Sequence, residues 1–294
     1  MNYKIIFLII SSDNEAVYSQ MREISPKYYN LYGDRIKFFF IENRHMNSGQ
    51  VIEENDYLYI NGTESFIPGI YQKSIKAIEY INNTYSYDYV IRTNLSTFWH
   101  MENLFKFLDN KPKEKFAAGY AFQGFISGTG IIMSHDVGNI VASNINSSYV
   151  GDDVVISRTI ESQGIKLYDI TEYKWGFLIP YVEPLPSNCK YLNINDDFSD
   201  ILNFRIKNGG DRSTDIYYFN ILLDKLYFNK YEPINLVTEL MNESINLVTE
   251  QINLVNEPIT EPITEQINLD NKSIINNMMK RNQILLLLKR KIRR

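Results

Sequence analysis

The sequence predicts an α/β fold, a mixed and mostly parallel sheet flanked by helices. Three observations lead there. Runs of β-branched and aromatic residues recur at 5–10, 36–41 and 89–91, the composition of strands covered on both faces. Between them, Ile70, Ser74, Ala77, Ile78 and Ile81 repeat at helical spacing. Where the third run ends stand Arg92, Thr93, Asn94 and Ser96, and in an open α/β sheet the carboxyl ends of the strands are where ligands bind.

The elements follow in order. Residues 5–10 form a first strand, too short for a signal-peptide core or a membrane span. Ser11-Ser12-Asp13-Asn14 suits a loop and helix cap, and residues 15–24 form a helix that stops at Ser25-Pro26. Residues 36–41 form the second strand, 43–55 a polar loop holding Gly49, and 56–60 a short third strand. Pro68-Gly69 opens the helix that feeds the strand at 89–91. Beyond it lie a helix at 101–108 ended by Lys111-Pro112, a strand at 116–122, and a stretch with Gly124, Gly128 and Gly130 whose tail is a buried strand. A helix spans 135–143. Asp152 and Asp153 occupy the first turn of a helix running to Gln163, Gly164 caps it, and residues 165–170 form a strand.

The net charge of −5 conceals an asymmetry. Residues 272–294 carry eight Lys or Arg and no acid, so the first 271 residues hold 22 basic against 35 acidic groups. An acidic body argues against nucleic acid as a partner. Cys189 is the only cysteine and the three histidines are widely spaced, so neither a disulfide nor a zinc pattern is predicted. A reducing cytoplasm is the expected location, and the Asn-, Ile- and Tyr-rich composition suits an AT-rich genome such as that of a large DNA virus.

The character changes near residue 232. Ile-Asn-Leu-Val-Thr-Glu occurs at 234–239 and 245–250, Ile-Asn-Leu-Val-Asn-Glu at 252–257, and Pro-Ile-Thr-Glu at 258–261 and 262–265. Pro258 and Pro262 break any helix there. The chain therefore divides into a domain at 1–231, a low-complexity repeat linker at 232–271 and a basic amphipathic helix at 272–294. Such a helix suits peripheral contact with an anionic membrane surface; the alternative is a solvated or self-associating helix.

Four stretches in order resemble the β-1,3-galactosyltransferase and Fringe family of glycosyltransferases. They are residues 56–76 with Phe66, Tyr71, Lys73 and Lys76; residues 87–98; residues 125–134 with Ser127-Gly128-Thr129-Gly130 and Ser134; and Asp152-Asp153-Val154 through Gly164-Ile165. The resemblance covers residues 3–180 and implies a GT-A-like, Rossmann-like domain. It implies a transferase that takes a sugar from a nucleotide-sugar donor, UDP-linked first, to a hydroxyl of a glycan or protein acceptor. By resemblance Asp153 is the base that deprotonates the acceptor in an inverting transfer, with Asp152 beside it. A plain pair of helix-N-terminal acids is the alternative. Gly128, Gly130 and Trp99 are the expected acceptor or sugar contacts; a core Trp and a tight turn are the alternatives.

One departure matters most. The family's Asp-x-Asp holds a divalent cation against the diphosphate, and Asn94-Leu95-Ser96 stand here instead. Neutral oxygens bind Mn²⁺ or Mg²⁺ far more weakly than carboxylates. No metal ligand is assigned, and the cation stays open as a cofactor. The donor's charge then falls to Arg92, with Thr93, Asn94, Ser96, Lys73 and Lys76 as further donor contacts; Arg92 equally suits a structural ion pair. A catalytically inactive domain binding glycan or nucleotide sugar at a membrane surface is the alternative function.

Overall fold

The computed structural model describes residues 2–228, apart from residues 48, 50, 145–149, 171–173, 178–189, 192, 194 and 209–211. The repeat linker at 232–271, the basic segment at 272–294 and Cys189 lie outside the described residues.

The first half of the chain forms β1 (Asn2–Ile10), α1 (Ala16–Tyr29), β2 (Ile36–Arg44), β3 (Ile52–Glu54), β4 (Tyr57–Asn61), α2 (Gly69–Thr84), β5 (Ser86–Asn94), β6 (Thr97–Trp99) and α3 (Met101–Asp109). Then come β7 (Ala117–Gly119), β8 (Ala121–Phe122), β9 (Phe125–Ile126), β10 (Gly130–Ser134), α4 (His135–Ser143) and α5 (Asp152–Ser162). Then follow β11 (Leu167–Asp169), β12 (Lys174–Phe177), β13 (Lys190–Tyr191), β14 (Ile201–Arg205) and α6 (Ser213–Leu223), and a π-helical turn at Asp224–Phe228 closes the described chain.

Eight strands form one mixed sheet in the order β11-β7-β10-β5-β1-β2-β4-β3. Within it β4, β2, β1 and β5 are mutually parallel, as the sequence predicts. The chain builds β1, β2 and β4 toward one edge, then returns through α2 to place β5 on the other side of β1. The order therefore reverses between β1 and β5, which makes the gap beyond their carboxyl ends the topological switch point.

Alternation along the central strands sends side chains to two cores. Ile5, Phe7, Ile9, Tyr89 and Ile91 pack with residues of α1, α3 and α6. Ile6, Leu8 and Val90 pack with residues of α2, α4 and α5. A second sheet, β13-β12-β14-β6, joins the first core through Phe98, Trp99, Ile201 and Phe204.

The structure departs from the sequence reading at four places. Helix α1 runs through Pro26 to Tyr29 instead of stopping at Ser25. Proline inside a helix costs about 3 kcal/mol, and burial of Tyr28 and Tyr29 against Phe98, Phe7 and Phe38 offsets it. The polar stretch 43–55 contains β3, held by pairing with β4 and by Tyr80 and Tyr85 hydroxyls donating to Glu53. The expected strand at 116–122 splits into β7 and β8, and β8 turns back onto β9 through Gln123 and Gly124, both at positive φ. Beyond Asn94 the chain forms β6, paired antiparallel with β14.

Candidate functional site

A cleft of about 250 Å³ opens at the switch point. Its walls come from the ends of parallel strands: Ile10 to Ser12 with Asn14 and Glu15 after β1, Glu64 to Phe66 after β4, and Asn94 to Ser96 after β5. Lys73 of α2 forms part of the wall, and Arg205 and Lys207 enter from the end of β14. The register of β14 on β6 sets Arg205 opposite Thr97, which brings its guanidinium to Ser96. Arg205 Nη1 donates to Ser96 Oγ at 2.5 Å.

Of the residues singled out in the sequence, Asn94, Ser96 and Lys73 line this cleft. Lys73 is completely buried, and its Nζ donates to the Ser11 carbonyl at 2.7 Å and to the two carboxylate oxygens of Glu64 at 2.7 and 2.9 Å. Burial lowers its pKa, with Glu64 opposing that shift. Its charge is thus matched within the protein. Lys76 sits half-buried a turn further along α2 and is not among the residues of the cleft wall.

A second group, Arg92, Gly128, Asp152 and Asp153, meets behind Asn94. Arg92 is 2% exposed, pointing to the α2, α4 and α5 side of the sheet with Val90. Its Nη1 donates to Asn94 Oδ1 at 3.1 Å and to the Gly128 carbonyl at 2.5 Å, and its Nη2 lies 2.7 Å from Asp152 Oδ2. The expectation that Arg92 offsets donor charge meets a guanidinium already committed to Asp152. Asp152 is also buried; burial raises its pKa, Arg92 opposes that, and Asp153 adds to it. Asp153 is half-buried, with Oδ2 accepting from the Gly128 amide at 3.0 Å and Oδ1 from the Val154 amide at 2.9 Å. A Cβ on Gly128 would lie 2.6 Å from Arg92 Nη1, so a side chain there would push the guanidinium away from its contacts.

Trp99 corrects the expectation of sugar stacking. The ring is completely buried beside Phe7, and its Nε1 donates to Thr93 Oγ1 at 3.1 Å. A Cβ on Gly130 would sit 2.5 Å from the indole, so Gly130 makes room for the core and neither residue offers a face to solvent. Thr93 is likewise internal, its hydroxyl donating to the Thr129 carbonyl at 2.6 Å. His100 caps α3, its Nδ1 accepting from the Asn103 amide at 3.4 Å.

Sequence reasoning missed Arg205, Lys207, Glu15 and Tyr18, and quoted Phe66 without assigning it a role. Phe66 is 72% exposed at the cleft wall, an aromatic with little of its own fold to serve. Glu15 is ion-paired with Arg212 and accepts from the Tyr18 hydroxyl at 3.1 Å. The signal for Arg205 and Lys207 was the alternation at 204–207, where Phe204 and Ile206 are buried and the two cations between and after them turn outward.

The strand end does not fit a divalent cation. The two side-chain oxygens at the end of β5, Asn94 Oδ1 and Ser96 Oγ, each already accept from an arginine. Among the described residues no group of three or more His, Cys, Asp or Glu is placed to hold a metal. Nor, among them, is any helix long and apolar enough to cross a membrane.

No family model matches the chain, and no curated protein matches it. Among solved structures it is similar to a glycosyltransferase involved in the glycosylation of the major capsid of PBCV-1. The identity is 12% and the TM-score 0.43, over 74% of this chain and 99% of that one. What the chain's own geometry defines is an α/β domain with a polar, aromatic-edged cleft at its switch point.

Proposed function

We propose that the domain transfers a sugar from a nucleotide-sugar donor to a hydroxyl of a glycan or protein acceptor. The observation that carries this reading is the position of residues 94–96. The stretch resembling the family's diphosphate-binding motif forms a wall of the cleft at the β1/β5 switch point, where an α/β sheet of GT-A type receives a nucleotide. Phe66 supplies an exposed ring for a base or sugar face. In the inverting transfer proposed, Asp153 takes the proton of the acceptor hydroxyl as its oxygen attacks the anomeric carbon and the nucleoside diphosphate departs. Arg92 and Asp152 hold Asp153 in place through Gly128, a positioning role. The basic segment at 272–294 is proposed as a tether to an anionic surface.

A thermal-shift panel of UDP- and GDP-sugars tests the donor site. A ligand at 100 times its Kd adds about 2.7 kcal/mol, a shift of a few degrees for a domain of this size. One nucleotide series should give that shift; none doing so would remove the reading. A second reading, a binding domain without turnover, is favoured by the engagement of both Asp153 oxygens with backbone amides. Donor binding without sugar transfer or donor hydrolysis would establish it.

A further inference from the structure

We propose that the donor lies across the cleft in one direction, with its nucleobase stacked on Phe66 and the edge of that base met by Asn14 and Ser12. The inference rests on the nucleotide-sugar reading above and assigns its base-binding residues. The order of the sheet carries it. Asp153 is held at Gly128, just before β10, and β10 pairs with β5 on the side away from β1. A sugar that reaches Asp153 from a diphosphate at residues 94–96 therefore takes the β10 side. The nucleoside, at the other end of the diphosphate, is left the β1 side. There the wall continues through Ser11, Ser12 and Asn14 to Phe66 beyond β4. β4 stands three strand spacings from β5, about 14 Å, a span that an extended nucleoside diphosphate covers.

Phe66 suits a planar partner. Its ring is 72% exposed, yet the residues before it are pinned. Asn43 Nδ2 donates to the Thr63 carbonyl at 3.2 Å, and the Asn43 amide and Lys73 Nζ both donate to Glu64. The Gly69 amide donates to Ser65 Oγ at 2.9 Å and the Ile70 amide to the Ser65 carbonyl at 3.1 Å. An aromatic face held in water on an anchored loop loses little freedom when a base stacks on it. The base also needs partners for its edge. Asn14 is exposed and Ser12 half-buried on the cleft wall, and neither side chain has a hydrogen-bond partner among the described residues. The Asn14 amide offers donor and acceptor side by side, the pattern that a base edge complements, and the Ser12 hydroxyl can give or accept a further bond. Lys73, expected from the sequence to contact the donor, instead holds the loop that carries the ring.

Titration of Phe66→Trp in the full chain with UDP, GDP, inorganic pyrophosphate and free glucose tests the placement. Tryptophan fluorescence is read against wild type, whose own Trp99 and Trp175 give the background. One nucleoside diphosphate should quench the introduced indole, and pyrophosphate and glucose should leave it unchanged. By calorimetry, Phe66→Ala and Asn14→Ala should each weaken that nucleotide about two- to tenfold, the worth of one aromatic contact or one hydrogen bond. Both positions are exposed, so both variants keep the fold. A nucleotide that binds wild type without quenching the indole, and binds Phe66→Ala equally well, would overturn the placement and leave the nucleotide-sugar reading standing. Quenching by glucose in place of the nucleotide would overturn it too, by putting a sugar on Phe66. No nucleotide binding by wild type would remove the nucleotide-sugar reading and this placement with it.

Discussion

Arg92 Nη2 lies 2.7 Å from Asp152 Oδ2, and the pair ties the end of β5 to the first turn of α5 with both side chains buried. This contact joins the two stretches that the sequence marks as functional, and neither charge has water to fall back on. Removing one partner strands the other. Arg92→Met or Asp152→Ala should each destabilise the domain by about 3–5 kcal/mol. The double variant Arg92→Met/Asp152→Leu should recover much of that loss, as measured by chemical denaturation.

The pH dependence of that pair has a definite sign. Burial raises the Asp152 carboxyl above its ordinary value of 3.8, so the folded chain binds this proton more tightly than the unfolded one. The group therefore adds stability as pH falls through its folded pKa, and that gain levels off below the unfolded value. Denaturation of wild type and Asp152→Asn across pH 4–7 checks it. The gap between the two should move in favour of wild type as pH falls, and a gap moving the other way would show an Arg92 field that overrides burial.

Gly130 and Trp99 test the correction to the sugar-stacking expectation. Gly130→Ala should cost about 1–3 kcal/mol by overpacking, since its Cβ would lie 2.5 Å from the indole. Nucleotide affinity, measured where the variant is folded, should stay within about twofold, because neither residue lines the cleft.

Phe66 should behave in the opposite way. Being 72% exposed, it can lose its ring with less than about 0.5 kcal/mol of stability. Phe66→Ala should weaken donor or acceptor binding about two- to tenfold, the worth of one aromatic contact. Unchanged affinity for both would take Phe66 out of the site.

The parts of the fold legible in the sequence are those where one strand or helix declares itself. Residues 5–10, 36–41 and 89–91 are apolar on both faces because helices cover the sheet on both sides, and α2 and α5 carry their periodicity and terminal residues openly. β3 and β6 were not legible: each is three residues long and exists through its partner, β4 or β14. The same division holds at the site. Asn94 and Ser96 stand at the end of a recognisable strand, whereas Arg205 reaches Ser96 from 109 residues away through the register of a second sheet. Trp99 and Lys73 show the converse error. Their residue types suit sugar and phosphate contacts, but burial and local partners, invisible in a linear sequence, claim them first.

The most direct test of the account is sugar-transfer turnover by wild type and Asp153→Asn, using whichever donor binds. The substitution keeps the side chain's shape and removes its capacity to take a proton. Transfer should fall by about 10²–10⁴-fold, the usual worth of a general base, while circular dichroism and donor affinity stay close to wild type. Full turnover by Asp153→Asn would contradict the account.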